Sequence, residues 1–298
     1  MSDTPPTEPA GLTLLKAWNT ARQRLEAGGV ASPVIDARML VEAAAEVTRV
    51  EIVTDPYRVL SDAQAATLDD YLTRRVKREP VSHILGRKGF WKILLNVNRD
   101  VLTPRPDSEV IVDLVLKRFP EQMPFQLLDL GVGSGAIVLA ILAERPAARA
   151  VGIDVSSEAI AVARDNAAHL GLAGRVALLR GDWTATLADA NFDVVVANPP
   201  YIRTDEIETL EPEVRDYEPH IALDGGPDGL DAYRLLAPEI MRVLKPLGLF
   251  AVEIGHDQSA EVEALFNAAG ASDVFTIKDL SNHDRVVTGT KNPLESSR

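Results

Sequence analysis

From about Asp107 to the C-terminus, short apolar runs alternate with amphipathic stretches, and that alternation restricts the architecture more than any other feature. Runs at Phe125–Leu130, Ala148–Asp154, Val176–Leu179, Phe192–Ala197 and Leu249–Ile254 read as strands. Helices are expected at 135–145, 157–170, 229–243 and 258–269. Strands that alternate with helices need crossover connections, so the expected fold is α/β, a mainly parallel sheet with helices on both faces. Before it, Phe90–Val97 followed by Val101-Leu102 suggests a β-hairpin linking two domains.

Residues up to about 80 read as a small helical bundle. Leu14, Trp18, Ala21 and Leu25 recur at helical spacing. Ser32-Pro33 places an N-cap before a proline at the first helical position. Ser61-Asp62-Ala63-Gln64 fits a capping box, with Ala65, Leu68 and Leu72 following on one face. The expected organisation is thus a helical domain over 1–85, a hairpin linker over 86–106 and an α/β domain over 107–298.

Composition removes several function classes. The chain has no cysteine, which excludes disulfides, thiol nucleophiles and cysteine-ligated zinc. Its five histidines, at 83, 169, 220, 256 and 283, form no close pair on a helical face, so no metal site is expected. A formal net charge of -13 argues against broad binding to duplex DNA. Residues Met1 to Pro9 lack the pattern of a secretory signal, and the longest apolar run, about Ala136–Ala143, is too short to span a bilayer. A cytoplasmic location is expected.

Leu127-Leu128-Asp129-Leu130-Gly131-Val132-Gly133-Ser134-Gly135 is an apolar strand entering a glycine-rich turn that opens a helix. Glycines let backbone approach a ligand, and a helix start offers free N–H groups. Alone, the loop suits either a dinucleotide or S-adenosylmethionine, since Gly131-x-Gly133-x-x-Ala136 also satisfies the dinucleotide pattern. Asp154 ends the next strand, about 20 residues on, where an acid suits a ribose diol. The bland alternative is a helix N-cap, for which Ser156 and Ser157 are better placed. Asp182-Trp183 follows the third strand. It is either an adenine contact or a surface turn with a packed indole, and the sequence leaves both open.

Asn198-Pro199-Pro200-Tyr201 ends the strand Asp193–Ala197, on the crevice side of an open α/β sheet. Two consecutive prolines forbid helix and remove two N–H donors, leaving a stiff turn that presents carbonyls and the Asn side chain. Such a corner answers a chemical problem. A planar carboxamide nitrogen is a poor nucleophile because its lone pair is delocalised. The Asn198 side-chain oxygen and the Pro199 carbonyl are two acceptors for its two hydrogens, which would aim the lone pair at a sulfonium methyl. Tyr201 would pack on the flat amide. No strong general base is evident, and none is needed before methyl transfer. The tetrapeptide rejects the dehydrogenase alternative without choosing the substrate, since an adenine amino group poses a similar problem.

Together these motifs resemble the HemK/PrmC family of release-factor glutamine methyltransferases. Glu79–Gly86 and Phe90-Trp91, the Thr103-Pro104-Arg105-Pro106-Asp107-Ser108-Glu109 segment, Glu218-Pro219, Leu223–Gly226, Asp228–Leu230, Tyr233-Arg234, Glu253-Ile254-Gly255 with Gln258, and Asp279-Leu280 with Arg285 extend the resemblance over nearly the whole chain. It implies a Rossmann-like class I methyltransferase domain with a seven-stranded, mainly parallel sheet. It also implies S-adenosylmethionine held by Gly131, Val132, Gly133, Ser134, Gly135, Asp154, Trp183 and Asn198, to which the residue reading adds Asp182 as an adenine contact. The target glutamine of a Gly-Gly-Gln motif in class I release factors would be held by Asn198, Pro199, Pro200 and Tyr201, with the helical domain engaging the rest of that partner. A monomer is expected. Val132 departs from a common Thr, His83 from Tyr, Ser108 from Thr, and Leu247 from a second Gly.

Three weaker signals remain. Arg105, held between two prolines, either steers cofactor or partner, or pairs with Asp107 or Glu109. Arg74, Arg75, Lys77 and Arg78 form a basic run, read as a solvated helix face or a partner contact. Glu253 either supports the cofactor region or satisfies nearby backbone donors. Two competing substrates are carried forward: a ribosomal-protein glutamine and, less favoured by the charge, adenine N6 of a nucleic acid.

Overall fold

The computed structural model describes residues 11–185 and 187–293; Met1 to Pro9 lies outside the described residues. The chain divides into two compact units, one ending at Gly86 and one beginning at Arg87. No helix among the described residues is long and apolar enough to cross a membrane.

The first unit holds α1 (Leu14–Ala27), α2 (Pro33–Ala45), α3 (Arg49–Thr54), α4 (Asp62–Val76) and α5 (Val81–Leu85). Local chemistry sets the helix starts. Thr13 Oγ1 accepts from Lys16 N, and capping boxes form at Thr48/Glu51 and Ser61/Gln64. Ser32 precedes Pro33 at the N-terminus of α2 but makes no side-chain cap bond. Leu14, Ala17, Ala21 and Leu25 of α1 pack with Leu40 and Val41 of α2 and with Leu68 and Leu72 of α4; Trp18 lies half-buried at the edge. The basic run is only partly a solvated face: Lys77 is exposed, but Arg74 and Arg75 are paired. Arg75 makes a buried ion pair with Asp36 at 2.8 Å, and Arg74 grips Glu79 through Nε and Nη2 at 2.8 and 2.6 Å. Sequence spacing hides this because the carboxylates come from α2 and from the loop after α4.

The second unit opens with an antiparallel hairpin, β1 (Arg87–Phe90) and β2 (Ile93–Asn96). The expected run Phe90–Val97 is therefore broken at Trp91-Lys92, and Val101-Leu102 is not a strand. Trp91 turns the chain at φ 52, with its N–H held by Glu109 Oε1 at 2.7 Å. That partner lies 18 residues away, so no turn residue announces the bend.

The remaining elements are α6 (Glu109–Arg118), β3 (Gln126–Leu130), α7 (Ala136–Glu144), β4 (Arg149–Asp154), α8 (Ser157–His169), β5 (Val176–Arg180), β6 (Phe192–Ala197), α9 (Pro212–Arg215), α10 (Asp231–Val243), β7 (Leu244–Glu253), α11 (Ser259–Ala268), β8 (Ala271–Lys278) and β9 (Asp284–Lys291). They build a seven-stranded sheet in the order β5-β4-β3-β6-β7-β9-β8, in which only β9 runs against its neighbours. The α/β, mainly parallel architecture is as the alternation implies. The central strands read as continuous apolar runs because both faces are covered. Leu127, Val194, Val196 and Ala251 belong to one core with α6, α7 and α8. Their chain neighbours Leu128, Val195, Ala197 and Val252 belong to the other, with α10 and α11. β8 is half-exposed and lacks clean alternation, which is why the terminal β8–β9 hairpin is not legible residue by residue.

The chain runs outward from β3 to β4 and β5, then returns so that β6 pairs with the opposite edge of β3, with Leu130 beside Ala197. This reversal opens a crevice at the carboxyl ends of β3 and β6.

Leu247 has φ 64 and is largely exposed, a conformation glycine adopts at little cost. Leu247→Gly should therefore raise stability by about 0.5–1 kcal/mol, the relief of the left-handed backbone less the added unfolded-state entropy, measured by denaturant midpoint.

Candidate active site

The crevice is a cavity of about 380 Å³. Gly131 and Asn198, the residues that follow the paired ends of β3 and β6, meet there: a Cβ on Gly131 would stand 3.7 Å from the Asn198 carbonyl oxygen and 3.8 Å from the Trp183 ring. Gly131, Val132, Gly133 and Ser134 line the cavity together with Asp154, Asp182, Trp183, Asn198, Pro200 and Arg105. Three other expected site residues do not line it. Gly135, at φ 84, instead lets the loop close onto α7, since a Cβ there would lie 2.8 Å from Leu139 Cδ1. Pro199 is buried, and Tyr201 is packed against the core beneath α10 and α11, its hydroxyl 3.5 Å from Glu253 Oε1. Burial and the neighbouring Glu253 push the Tyr201 phenol up from its ordinary value, so it stays protonated.

Backbone donors hold Asp154 in place. Gly133 N–H donates to Oδ2 at 2.9 Å and Ser156 N–H to Oδ1 at 3.0 Å. Ser156 caps α8 with its own side chain, so the N-cap role belongs to Ser156 and not to Asp154. The carboxylate thereby faces the cavity with lone pairs to spare for a diol. Trp183, at φ 47, lines the cavity and also packs against the core.

Arg105 pairs with neither Asp107 nor Glu109. Its Nη2 meets Glu218 Oε2 at 2.7 Å, with that carboxylate almost fully buried. Asp107 lies 3.7 Å from Arg285 and Glu109 holds Trp91. Proline on either side of Arg105 keeps the local chain extended, so its guanidinium reaches a partner 113 residues away. Burial raises the Glu218 pKa, while Arg105 and Thr103 oppose that shift. The ion pair ties the segment before α6 to the one before Pro219, and residues of both wall the cavity.

No local sequence signal marks Asp129, Ser108 or Glu218 as site residues, and Glu253 has two readings. Asp129, buried under the loop, accepts from Val138 N at 3.2 Å through Oδ2, while Oδ1 has no partner. Burial, reinforced by the nearby Asp154, pushes its pKa up to about 7. Glu253 is equally buried. Ser108 Oγ donates to its Oε2 at 2.5 Å, and Asn198 Nδ2 donates to Ser108 Oγ at 3.1 Å. The Asn-Pro-Pro-Tyr corner rests on Gly229, where a Cβ would fall 2.4 Å from the Tyr201 carbonyl oxygen. Gln258 Nε2 donates to both the Tyr201 and Gly229 carbonyls, at 3.0 and 3.2 Å. That close approach is the physical reason for glycine in the Asp228-Gly229-Leu230 segment.

The donor set distinguishes between the two cofactors that the loop alone allows. Asp100, Asp129, Asp154, Asp182, Asp224 and Asp231 line the cavity, against Arg105, whose charge Glu218 already neutralises. A pyrophosphate would be repelled, whereas a ligand carrying an ammonium and a sulfonium is attracted. The unpartnered Asp129 Oδ1 is an acceptor of the right kind for an ammonium. Among the described residues no cluster is suited to a metal ion.

Because the folded Asp129 carboxyl titrates near 7 against about 4 when unfolded, its contribution to stability is complete below about pH 4 and is lost as pH rises through 7. Asp129→Asn should flatten that part of the fall in stability of the ligand-free protein, measured by denaturation between about pH 4 and 8.

A family model described as the PrmC N-terminal domain matches residues 16–86, and one described as a methyltransferase domain matches residues 124–288. The chain is 70% identical over 96% of its length to a release factor glutamine methyltransferase of Caulobacter vibrioides, covering 99% of that protein. It is 42% identical over 90% of its length to one of Agrobacterium fabrum, covering 94% of it. Among solved structures, a methyltransferase from Pyrococcus furiosus shares the fold at a TM-score of 0.50 and 20% identity, covering 66% of this chain and 88% of that one. Likeness of this extent, spanning the helical unit, the glycine loop and the Asn-Pro-Pro-Tyr corner, places the chain in the family of release-factor glutamine methyltransferases.

Proposed function

We propose that this protein transfers a methyl group from S-adenosylmethionine to the side-chain N5 of the glutamine in the Gly-Gly-Gln motif of class I peptide-chain release factors, and so modulates translation termination. The observation that carries the reading is the contact of the Gly131 loop with Asn198 at the mouth of one acid-lined cavity.

Gly131, Val132, Gly133 and Ser134 accommodate the cofactor backbone, Asp154 takes the ribose hydroxyls, Asp182 and Trp183 border the base, and Asp129 faces the ammonium. When bound, S-adenosylmethionine supplies an electrophilic methyl group on a sulfonium. The chain's own task is to hold a weak nucleophile in line. Asn198 Oδ1, at the cavity surface, accepts a hydrogen of the glutamine amide, and the proline pair that follows keeps that acceptor still. Tyr201 sits behind the corner and supports it, since its ring does not reach the cavity surface. Arg105, pinned by Glu218, shapes the entrance on the substrate side. No side chain needs to remove a proton before transfer, because the methylated amide is acidic until it loses one to water. The protein acts in the cytoplasm as a monomer, with the helical unit, residues 1–85, gripping the release factor away from its Gly-Gly-Gln loop.

Incubation of purified release factor with enzyme and cofactor should add about 14 Da to the Gly-Gly-Gln peptide, read by mass spectrometry. No gain there, with a gain on a ribosomal-protein glutamine or an adenine oligonucleotide instead, reassigns the substrate. Asn198→Ala should lower kcat by about 100-fold or more while calorimetry shows little change in cofactor affinity. Asp154→Ala should do the reverse, weakening cofactor binding by about tenfold or more.

A further inference from the structure

Asn198 serves the reaction only if its side-chain oxygen, and not its nitrogen, faces the substrate amide. A carboxamide is nearly symmetric in shape, so packing alone does not choose between the two orientations. Hydrogen-bond chemistry behind the corner does. Ser108 Oγ has one hydrogen, and it is given to Glu253 Oε2 at 2.5 Å. A serine hydroxyl whose hydrogen is committed can only accept from its other neighbour, and that neighbour is the Asn198 amide at 3.1 Å. The chain of donors therefore runs in one direction, from Asn198 Nδ2 to Ser108 Oγ to Glu253.

We infer that Ser108 and Glu253 are positioning residues that fix the Asn198 carboxamide with its nitrogen turned inward, so that Oδ1 is presented to the incoming glutamine amide. The inference rests on the proposed role of Asn198 as acceptor of that amide. Glu253 is anchored for the purpose: its backbone oxygen accepts from the Tyr233 hydroxyl at 2.8 Å, and it lies at the end of β7, one strand over from Asn198. The groups that face its carboxyl are Asp107 and Ser108 before α6, Asn198 and Tyr201 at the corner, Tyr233 on α10, and Arg285 on β9, which is itself held by Asp279. Burial raises the Glu253 pKa to about 7 and Asp107 adds to the rise, while hydrogen bonds from Ser108 and Asn198 and the charge of Arg285 favour the carboxylate. Once ionised, Glu253 only accepts, which is what gives the chain its direction. A methyl-bearing hydroxyl at 108 retains the donor and acceptor for the same two bonds, whereas alanine has neither.

The test compares Ser108→Ala, Ser108→Thr and Glu253→Gln with the parent enzyme at about pH 8, where the carboxylate form dominates. Release factor and S-adenosylmethionine are the substrates, and S-adenosylhomocysteine affinity and thermal midpoint are measured alongside. Ser108→Ala should lower kcat by about 10- to 100-fold with cofactor affinity changed less than about threefold. Ser108→Thr should restore it. Glu253→Gln, which can offer Ser108 either a donor or an acceptor, should fall between the two. A second readout does not depend on turnover: the Asn198 side-chain NH2 resonances in 15N-labelled, ligand-free protein should be protected from solvent exchange, and Ser108→Ala should weaken that protection, leaving only the bond to Glu253. The inference is overturned if Ser108→Ala keeps kcat within about twofold of the parent, if Ser108→Thr is as slow as Ser108→Ala, or if the Asn198 amide exchanges freely in the parent. Those outcomes leave the glutamine reading standing when Asn198→Ala is inactive. An active Asn198→Ala overturns both.

Discussion

The parallel pairing of β3 with β6 is the constraint on which the rest of this structure depends. Leu130 lies beside Ala197, so the residues that leave the two strands, Gly131 and Asn198, emerge side by side although 67 positions separate them in the chain. A ligand held by the loop after one strand is thereby within reach of the corner after the other. Sheets of this kind place such a crevice wherever the winding direction reverses, and here the reversal falls between these two strands. The residues proposed to hold cofactor and substrate amide are attached to this one register. A slip by one residue would turn Asn198 to the other face of the sheet.

Around that register the chain places an unusual amount of buried polarity. Asp129, Ser108, Glu218 and Glu253 are each nearly inaccessible, and all four lie beneath or beside the cavity. Buried carboxyls are costly unless hydrogen-bonded. Three of the four are matched: Ser108 and Glu253 to each other, Glu218 to Arg105. Asp129 keeps one oxygen unpartnered at the cavity edge. The paired groups stiffen the walls, and the unpaired one leaves an oxygen available where a cationic cofactor would lie. The acid lining thus separates the two cofactor classes that a glycine-rich loop by itself allows.

Much of the site was legible from local signals. Gly131, Gly133, Asp154 and Asn198 occur at strand ends in recognisable spacing, and the structure gathers them around one cavity. Other readings failed where the partner was distant. Local spacing offers Arg105 its neighbours Asp107 and Glu109, yet its carboxylate is Glu218. Arg74 and Arg75 read as a solvated face, yet Asp36 and Glu79 neutralise them. Trp91 reads as part of a strand, yet it forms the turn because Glu109 holds its N–H. Tyr201 reads as a ring against the substrate, while its phenol points inward toward Glu253.

What the sequence determined by itself is whatever depends on neighbours in the chain. Helix caps at Ser61 and Thr48, the alternation that sends Leu127 and Leu128 to opposite cores, the glycine-rich turn and the proline-locked corner all follow from spacing of a few residues. What only the tertiary structure decided is which polar groups meet across the fold: Ser108 with Glu253, 145 positions apart, and Asn198 with Ser108, 90 apart. A hydrogen bond needs its partners within about 3 Å and correctly aimed. Periodicity reports which face a side chain takes but not what stands opposite it, so those pairings become visible only once the sheet order has closed the distance.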